Sequence, residues 1–116
     1  MAAGVEGGAQ LLHHGIGAVQ HFCQDMTIGF SLGWGGLLDK IRDYRVVNTD
    51  EESTELYDGL EHCVLGIQHW ISRHALAARE MAEREERPEL RRNLLQMADI
   101  NAALGDRPPA TFRETC

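Results

Sequence analysis

Apolar residues recur at steps of three and four between Thr49 and Ala82, which is the period of one face of an α-helix. Thr49 and Glu52 have the spacing of a capping box, and acidic side chains crowd the first turn, where the helix dipole favours them. The pattern predicts a long amphipathic helix in this region, with Cys63 packed on its apolar side. The predicted apolar face comprises Leu56, Leu60, Cys63 or Val64, Ile67, Trp70 or Ile71, His74 or Ala75, and Ala78.

Two further helices are predicted on either side of the long one. Pro88 ends the long helix and suits the first turn of another, which runs through an apolar pattern to Leu104 and stops at Gly105. Upstream, Leu32 to Arg45 has apolar residues on one side and is interrupted by glycines. The glycine run from 29 to 36 lacks the spacing of a phosphate-binding loop, so we interpret it as a helix break or a site of tight packing.

A last helix is predicted at the end of the sequence. Thr111 and Glu114 repeat the capping-box spacing, so a helix should begin at Phe112. Because a helix of so few residues is not stable by itself, we expect the sequence to be a truncated segment.

Composition divides the chain into two parts. Residues 1–37 hold most of the glycines and no Lys or Arg, whereas residues 38–116 hold nearly all the charge. We therefore predict one partial domain over 1–116, with a Gly-rich loop and short pieces over 1–37 and helices over 38–116. The predicted fold class is an all-α segment.

The net charge of −7 argues against binding to nucleic acid or to an anionic membrane, since both need a basic face. The longest uncharged stretch, 7–24, is too short and too polar for a membrane span. The odd number of cysteines favours a reducing, cytoplasmic setting over a disulfide framework.

Candidate catalytic and metal-binding residues are few. His62 and His69 lie seven residues apart, whereas two ligands of one zinc on a helix are normally three or four apart. Cys23 follows His21 by two residues, too close for a nucleophile and its base in regular structure, so we interpret Cys23 as a buried structural thiol. The residues alone predict a helical segment with no metal site and no catalytic residue of its own.

Five short stretches occur in an order that resembles the pyruvate formate-lyase-like glycyl radical enzymes. The last stretch is the most specific, because it carries a Pro-Pro-x-Thr-Phe motif at the start of a helix and follows the other four in order. The stretches are LYDGL at 56–60, AAREMA at 77–82, RPELR at 87–91, LLQMADI at 94–100 and RPPATF at 107–112.

The first half carries a second resemblance, to the dehydratase and lyase branch of that family. His21 is followed by Asp25 and then by Gly33, Gly36 and Leu37, at the spacing that these enzymes show. The resemblance implies that His21 binds substrate. It also implies that the helices pack outside a ten-stranded α/β barrel in the complete enzyme.

The resemblance further implies a radical mechanism that this segment cannot complete alone. The family uses a glycyl radical in an Arg-Val-x-Gly motif, installed by an S-adenosylmethionine-dependent activase, and a thiyl radical on a Cys followed by x-Glu. Here Cys63 has no such Glu, and Asn48 stands where the motif beginning at Arg45 would need Gly. The implied parent is an anaerobic, homodimeric lyase, dehydratase or formate acetyltransferase that cleaves a C–C, C–O, C–N or C–S bond of a small substrate.

The alternative hypothesis is a small helical protein-interaction module. It would bind a partner through the apolar face between Leu56 and Ala78. A cooperative unfolding transition and a monodisperse chain would favour this alternative over the enzyme segment.

Overall fold

A computed structural model describes residues 25–115, and this part of the chain is helical with no β-strand. The all-α prediction is therefore confirmed for the described residues. None of their helices is long and apolar enough to cross a membrane. The helices are α1 (Thr27–Val47), α2 (Glu51–Arg84), α3 (Pro88–Leu104) and α4 (Phe112–Thr115).

Helix α1 begins earlier than the sequence pattern predicted. It covers residues 27–37, which the composition assigned to loop and short pieces, and it kinks at Gly33, where φ is 65° and ψ is −176°. A hydrogen bond to the loop after α3 stabilises this part of α1, whose glycines have a low helix propensity. The amide of Gly35 donates to the carbonyl oxygen of Asp106 at 2.7 Å.

Helix α2 is capped by Asp50 rather than by Thr49, so the predicted cap is wrong by one residue. The Asp50 carboxylate accepts a hydrogen bond from the Ser53 amide at 2.9 Å, while the Asp50 backbone is extended. Asp caps a helix as well as Thr does. Glu51 and Glu52 then lie in the first turn, at the positive end of the helix dipole.

The turn between α2 and α3 follows the prediction made from Pro88. Helix α2 ends at Arg84, and Pro88 occupies the first turn of α3. The Glu85 carboxylate accepts hydrogen bonds from the backbone amide of Arg87 at 3.0 Å and from its Nε at 2.9 Å. These bonds lower the pKa of Glu85 to about 2, with the bond from the Arg87 side chain as the larger cause.

The buried residues lie where α2 contacts its two neighbours. Near the first half of α2, Val64 forms one cluster with Leu38 and Ile41 of α1, and Trp34, Leu37 and Tyr57 pack against it. The second half of α2 contacts α3. Small side chains predominate among the buried residues there, which are Ala75, Ala78, Ala82, Leu94 and Ala98.

Part of the predicted apolar face of α2 does not lie in this core. Leu56 and Trp70 are 58% and 62% exposed, and Cys63 is exposed as well. The prediction that Cys63 is buried is wrong, because successive residues on a helix point about 100° apart and the neighbouring helices cover the Val64 side.

Ion pairs connect the exposed flanks of the helices. Arg42 of α1 lies 2.7 Å from Glu61 of α2, and Arg79 of α2 lies 2.8 Å from Asp99 of α3. Exposed pairs of this kind contribute little to stability, so we assign the docking of the helices mainly to apolar burial.

Candidate functional site

A cavity of about 450 Å³ lies among the first half of α1, α2 and the loop that joins α3 to α4. Met26 and Phe30 line this cavity, and their side chains are 51% and 50% exposed. Its walls are mainly apolar and include Phe30, Trp34, Leu37, Ile71, Leu104 and Pro109.

Two glycines of α1 allow the joining loop, residues 105–111, to approach the helix closely. A Cβ atom at Gly33 would overlap the backbone of Arg107 and Pro108, and one at Gly35 would overlap the Asp106 carboxylate. Gly33 also has a positive φ that a side chain would disfavour. The glycine run is therefore a site of tight backbone packing, as the sequence predicted.

The joining loop is held from α2 as well. The Gln68 side-chain amide donates to the carbonyl oxygen of Gly105 at 2.9 Å, while Gly35 of α1 donates to the next carbonyl. Two adjacent carbonyls are thus bound by two different helices. This arrangement fixes the loop that forms one wall of the cavity.

Asp25 lies at the start of α1 and lines the same cavity. Its carboxylate accepts a hydrogen bond from the Thr27 amide at 2.9 Å. Hydrogen bonding by the Thr27 side chain, and secondly by its amide, lowers the pKa of Asp25, so the group remains ionised at neutral pH beside the positive end of α1. Asp25 therefore anchors the first turn of the helix.

Arg107 and Glu114 also line the cavity and form an ion pair, with Nη2 and Oε1 2.7 Å apart. Glu114 also accepts from the amides of Ala110 at 2.5 Å and Thr111 at 3.3 Å, and α4 begins at Phe112 as predicted. The Arg107 hydrogen bond is the main reason that the pKa of Glu114 falls to about 2.

The cavity brings together residues from both halves of the family resemblance. Asp25, Gly33 and Leu37 come from the first half, and Arg107 and Pro109 come from the Pro-Pro-x-Thr-Phe region. No local pattern in the sequence indicates that these two distant stretches meet.

The predicted substrate-binding residue His21, and Cys23, lie outside the described residues. In the sequence, His21 precedes Asp25 by four residues. Its role in binding substrate stays a prediction.

The histidines of α2 lie on exposed parts of the helix. His62 Nδ1 is 2.7 Å from the carbonyl oxygen of Asp58, one turn earlier. Over residues 25–115, no three His, Cys, Asp or Glu side chains are grouped so that they could hold a metal ion. Of the two alternatives on the predicted apolar face, Ala75 is buried and His74 is exposed, with its ring against Trp70.

Chemically, the cavity offers an apolar surface whose ionisable groups already have partners. Asp25 is bound to a backbone amide, and Arg107 and Glu114 are bound to each other. Such a surface suits an uncharged, apolar occupant better than a proton-transfer reaction.

Comparison with known proteins places the sequence in a family. No curated protein shows significant similarity to the chain. The family model described as pyruvate formate lyase-like matches residues 12–116, which is nearly the whole chain and includes every motif discussed above. The chain therefore belongs to the pyruvate formate lyase-like family.

Proposed function

We propose that this chain is a segment of a glycyl radical enzyme that cleaves a C–C, C–O, C–N or C–S bond of a small substrate. The match of the family model over residues 12–116 carries this proposal. The parent enzyme would be a lyase, a dehydratase or a formate acetyltransferase-like transferase, and it would act anaerobically in the cytoplasm as a homodimer.

The segment by itself is expected to be inactive. Neither Cys23 nor Cys63 is followed by x-Glu, and no Arg-Val-x-Gly stretch occurs in the sequence. The parent would supply the thiyl radical and the glycyl radical, and an S-adenosylmethionine-dependent activase would install the latter. A radical on a glycine Cα is stabilised in a planar centre, which the side chain of Asn48 would twist.

The role proposed for the helices is to pack against the rest of the parent enzyme, outside its barrel. Exposed apolar side chains on α2 support this role, since they are stabilised when another apolar surface covers them. Leu56, Leu60 and Trp70 are all exposed on α2. Gly59 and Gly66 lie on the same helix, and a Cβ atom added at either would meet nothing within 4 Å, so another backbone has room to approach there.

His21 is the residue we propose to bind substrate in the complete enzyme. The test is His21→Ala in the activated parent, with turnover and glycyl radical content measured together. We expect turnover to fall while the radical signal is retained, because the radical site lies elsewhere. His62→Ala, at an exposed position of α2, is the matched control and should retain both.

Two outcomes would contradict this role. Unchanged turnover in His21→Ala would show that the side chain does not contact substrate. An equal loss of folded protein would show that His21 is structural.

A second candidate, a protein-interaction module, is favoured by the same exposed side chains of α2. Its predicted binding face needs correction, because Val64, Ile71, Ala75 and Ala78 are buried within the segment. The available face would comprise Leu56, Leu60 and Trp70. Sedimentation of the isolated chain distinguishes the two, since a module should be monodisperse whereas a segment with uncovered apolar side chains should associate.

A further inference from the structure

One side of α2 carries a series of residues that alternate at steps of four and three, and the other described helices leave this side largely uncovered. This is the 3.5-residue period of two helices that pair along their length. All of these residues are exposed except Ile67, which is half-buried. The series, named the heptad seam here, comprises Leu56, Leu60, Cys63, Ile67, Trp70, His74, Ala77 and Met81.

The heptad seam lies beside the face of α2 that is covered within the chain. Val64, Ile71 and Ala78 are buried, and each directly follows a residue of the seam. A helix docked on the seam would therefore extend the existing core. The seam is about 38 Å long at 1.5 Å per residue. Two seams packed together would bury on the order of 1,000 Å² in total, which is near the lower limit for a specific interface.

The charges along α2 favour an antiparallel partner of the same sequence. Residues 51–65 contain five acidic residues and no Lys or Arg, whereas residues 66–84 contain three Arg and two Glu. Parallel pairing of two copies would place the acidic halves side by side, where they repel each other. Antiparallel pairing places each acidic half against a half with a small net positive charge.

An antiparallel pair also has a register in which every residue of the seam faces another residue of the seam. Large side chains face small ones or apolar ones in this register, so the two surfaces are complementary. The facing pairs are Leu56 with Met81, Leu60 with Ala77, Cys63 with His74, and Ile67 with Trp70, where the second residue of each pair belongs to the second copy.

The glycines of α2 fit the same register. Gly59, Gly66, Arg73 and Glu80 all lie on one flank of the seam, because each directly precedes a seam residue. In the antiparallel register, Gly59 faces Glu80 of the second copy and Gly66 faces Arg73 of the second copy. A Cβ atom added at either glycine would meet nothing within 4 Å, so both long side chains have room. No two like charges face each other among these four positions.

We propose that α2 pairs antiparallel with α2 of a second copy of this chain through the heptad seam. The inference rests on the role proposed above for the helices, which is to pack within a homodimeric parent. It identifies α2 of the second subunit as the surface that covers the exposed side chains of α2.

The first test is sedimentation equilibrium of the 116-residue chain with Cys23→Ser and Cys116→Ser, in the presence of a reductant. We expect a monomer–dimer equilibrium with no larger species. Leu60→Asp should raise the dissociation constant at least about tenfold, because it places a charge inside the paired seam. Leu65→Asp is the matched control and should leave the constant unchanged, since Leu65 lies outside the seam and both leucines are 41% exposed. Far-UV circular dichroism checks that both variants keep their helices.

Disulfide trapping tests the orientation and the register. In the same background, His74→Cys places a thiol opposite Cys63 of the second copy, and a disulfide needs Cα atoms within about 7 Å. Cys63 and its own counterpart are offset by eleven residues, about 16 Å along the helix axis, in this register. Oxidation should therefore yield a covalent dimer with His74→Cys. It should yield none with Cys63 alone, and none with Leu76→Cys, which lies outside the seam.

The same pairing predicts how the reactivity of Cys63 depends on concentration. In dilute solution the monomer predominates and Cys63 is exposed, so it reacts rapidly with a thiol reagent. Labelling should slow as the chain concentration rises into the range of the dimer, because the seam of the second copy then covers Cys63.

Three outcomes would overturn the proposal. These are a chain that sediments as a monomer at every concentration, a chain that associates without limit, and a covalent dimer that forms through Cys63 alone. If Leu60→Asp loses its helices, Leu56→Asp with Leu76→Asp as its control provides the same comparison, since both leucines are 58% exposed. None of these outcomes changes the test of the proposed function, which measures turnover and radical content of the parent with His21→Ala.

Discussion

Replacement of Gly33 by alanine tests the close packing of α1 on the joining loop. Gly33 has φ of 65° and ψ of −176°, a region that is essentially restricted to glycine. The added Cβ would also overlap backbone atoms of Arg107 and Pro108, which cannot rotate away as a flexible side chain could. The joining loop must therefore move, or α1 must change its path.

The magnitude follows from these two contributions. A residue held in such a backbone region costs roughly 1–3 kcal/mol. Displacement of the loop would also break the hydrogen bond from Gly35 to Asp106, at 2.7 Å, which contributes about 1 kcal/mol. We therefore expect Gly33→Ala to reduce the free energy of unfolding by about 3 kcal/mol, a large fraction of the roughly 5–15 kcal/mol typical of a domain.

Gly66→Ala is the matched control because it makes the same chemical change in open space. Gly66 lies inside α2, and a Cβ atom added there would have no neighbour within 4 Å. Alanine there should stabilise the helix by about 1 kcal/mol, since it restricts the unfolded chain and favours the helical state. The same substitution is thus predicted to have opposite signs at the two positions.

The assay is urea unfolding of the isolated chain, followed by circular dichroism and by tryptophan fluorescence. The two probes together show whether the surroundings of the two tryptophans and the helices respond as one unit. If Gly33→Ala lowers the free energy of unfolding by less than about 1 kcal/mol, the packing described here is refuted. Such a small decrease would mean that residue 33 does not have a positive φ and that its Cβ does not overlap the joining loop.

Three further predictions concern the interface of α2 with α3, the acid response and the surface thiol. Ala98→Leu should destabilise the chain by about 1–3 kcal/mol, because Ala98 is fully buried, whereas Ala77→Leu at an exposed position should have little effect in the same melt. The Glu114 carboxylate has a pKa lowered from 4.5 to about 2, so its stabilisation of the α4 turn is complete above pH 4.5 and is lost as the pH falls towards 2. The Ala110 amide resonance should report that loss, and Glu114→Gln should remove this pH dependence. In a chain with Cys23→Ser and Cys116→Ser, Cys63 should react with a thiol reagent at nearly the rate of the unfolded protein, and slow labelling would contradict its exposure.

The helices could be predicted from sequence because their signals are local. The apolar period, Pro88 and the Thr111–Glu114 spacing each act within a few residues, and the corresponding helices are present. The start of α1 at Thr27 was not predicted because glycines lower helix propensity, while the contact of Gly35 with Asp106 depends on the tertiary fold.

The face of α2 that is buried could be predicted only in part. The apolar period identifies a broad stripe on the helix, and the stripe contains both Val64, which is buried, and Cys63, which is exposed. Which side of it is covered depends on where α1 and α3 dock. The cavity was not predictable for the same reason, since it forms where residues distant in sequence meet.

The most direct test of the central claim is the nucleotide sequence that follows codon 116. The claim is that these helices belong to a larger radical enzyme whose reacting groups lie outside the segment. We predict an open frame that encodes first a Cys-x-Glu stretch and later an Arg-Val-x-Gly stretch. A stop codon directly after Cys116 would contradict the claim and would favour the helical interaction module.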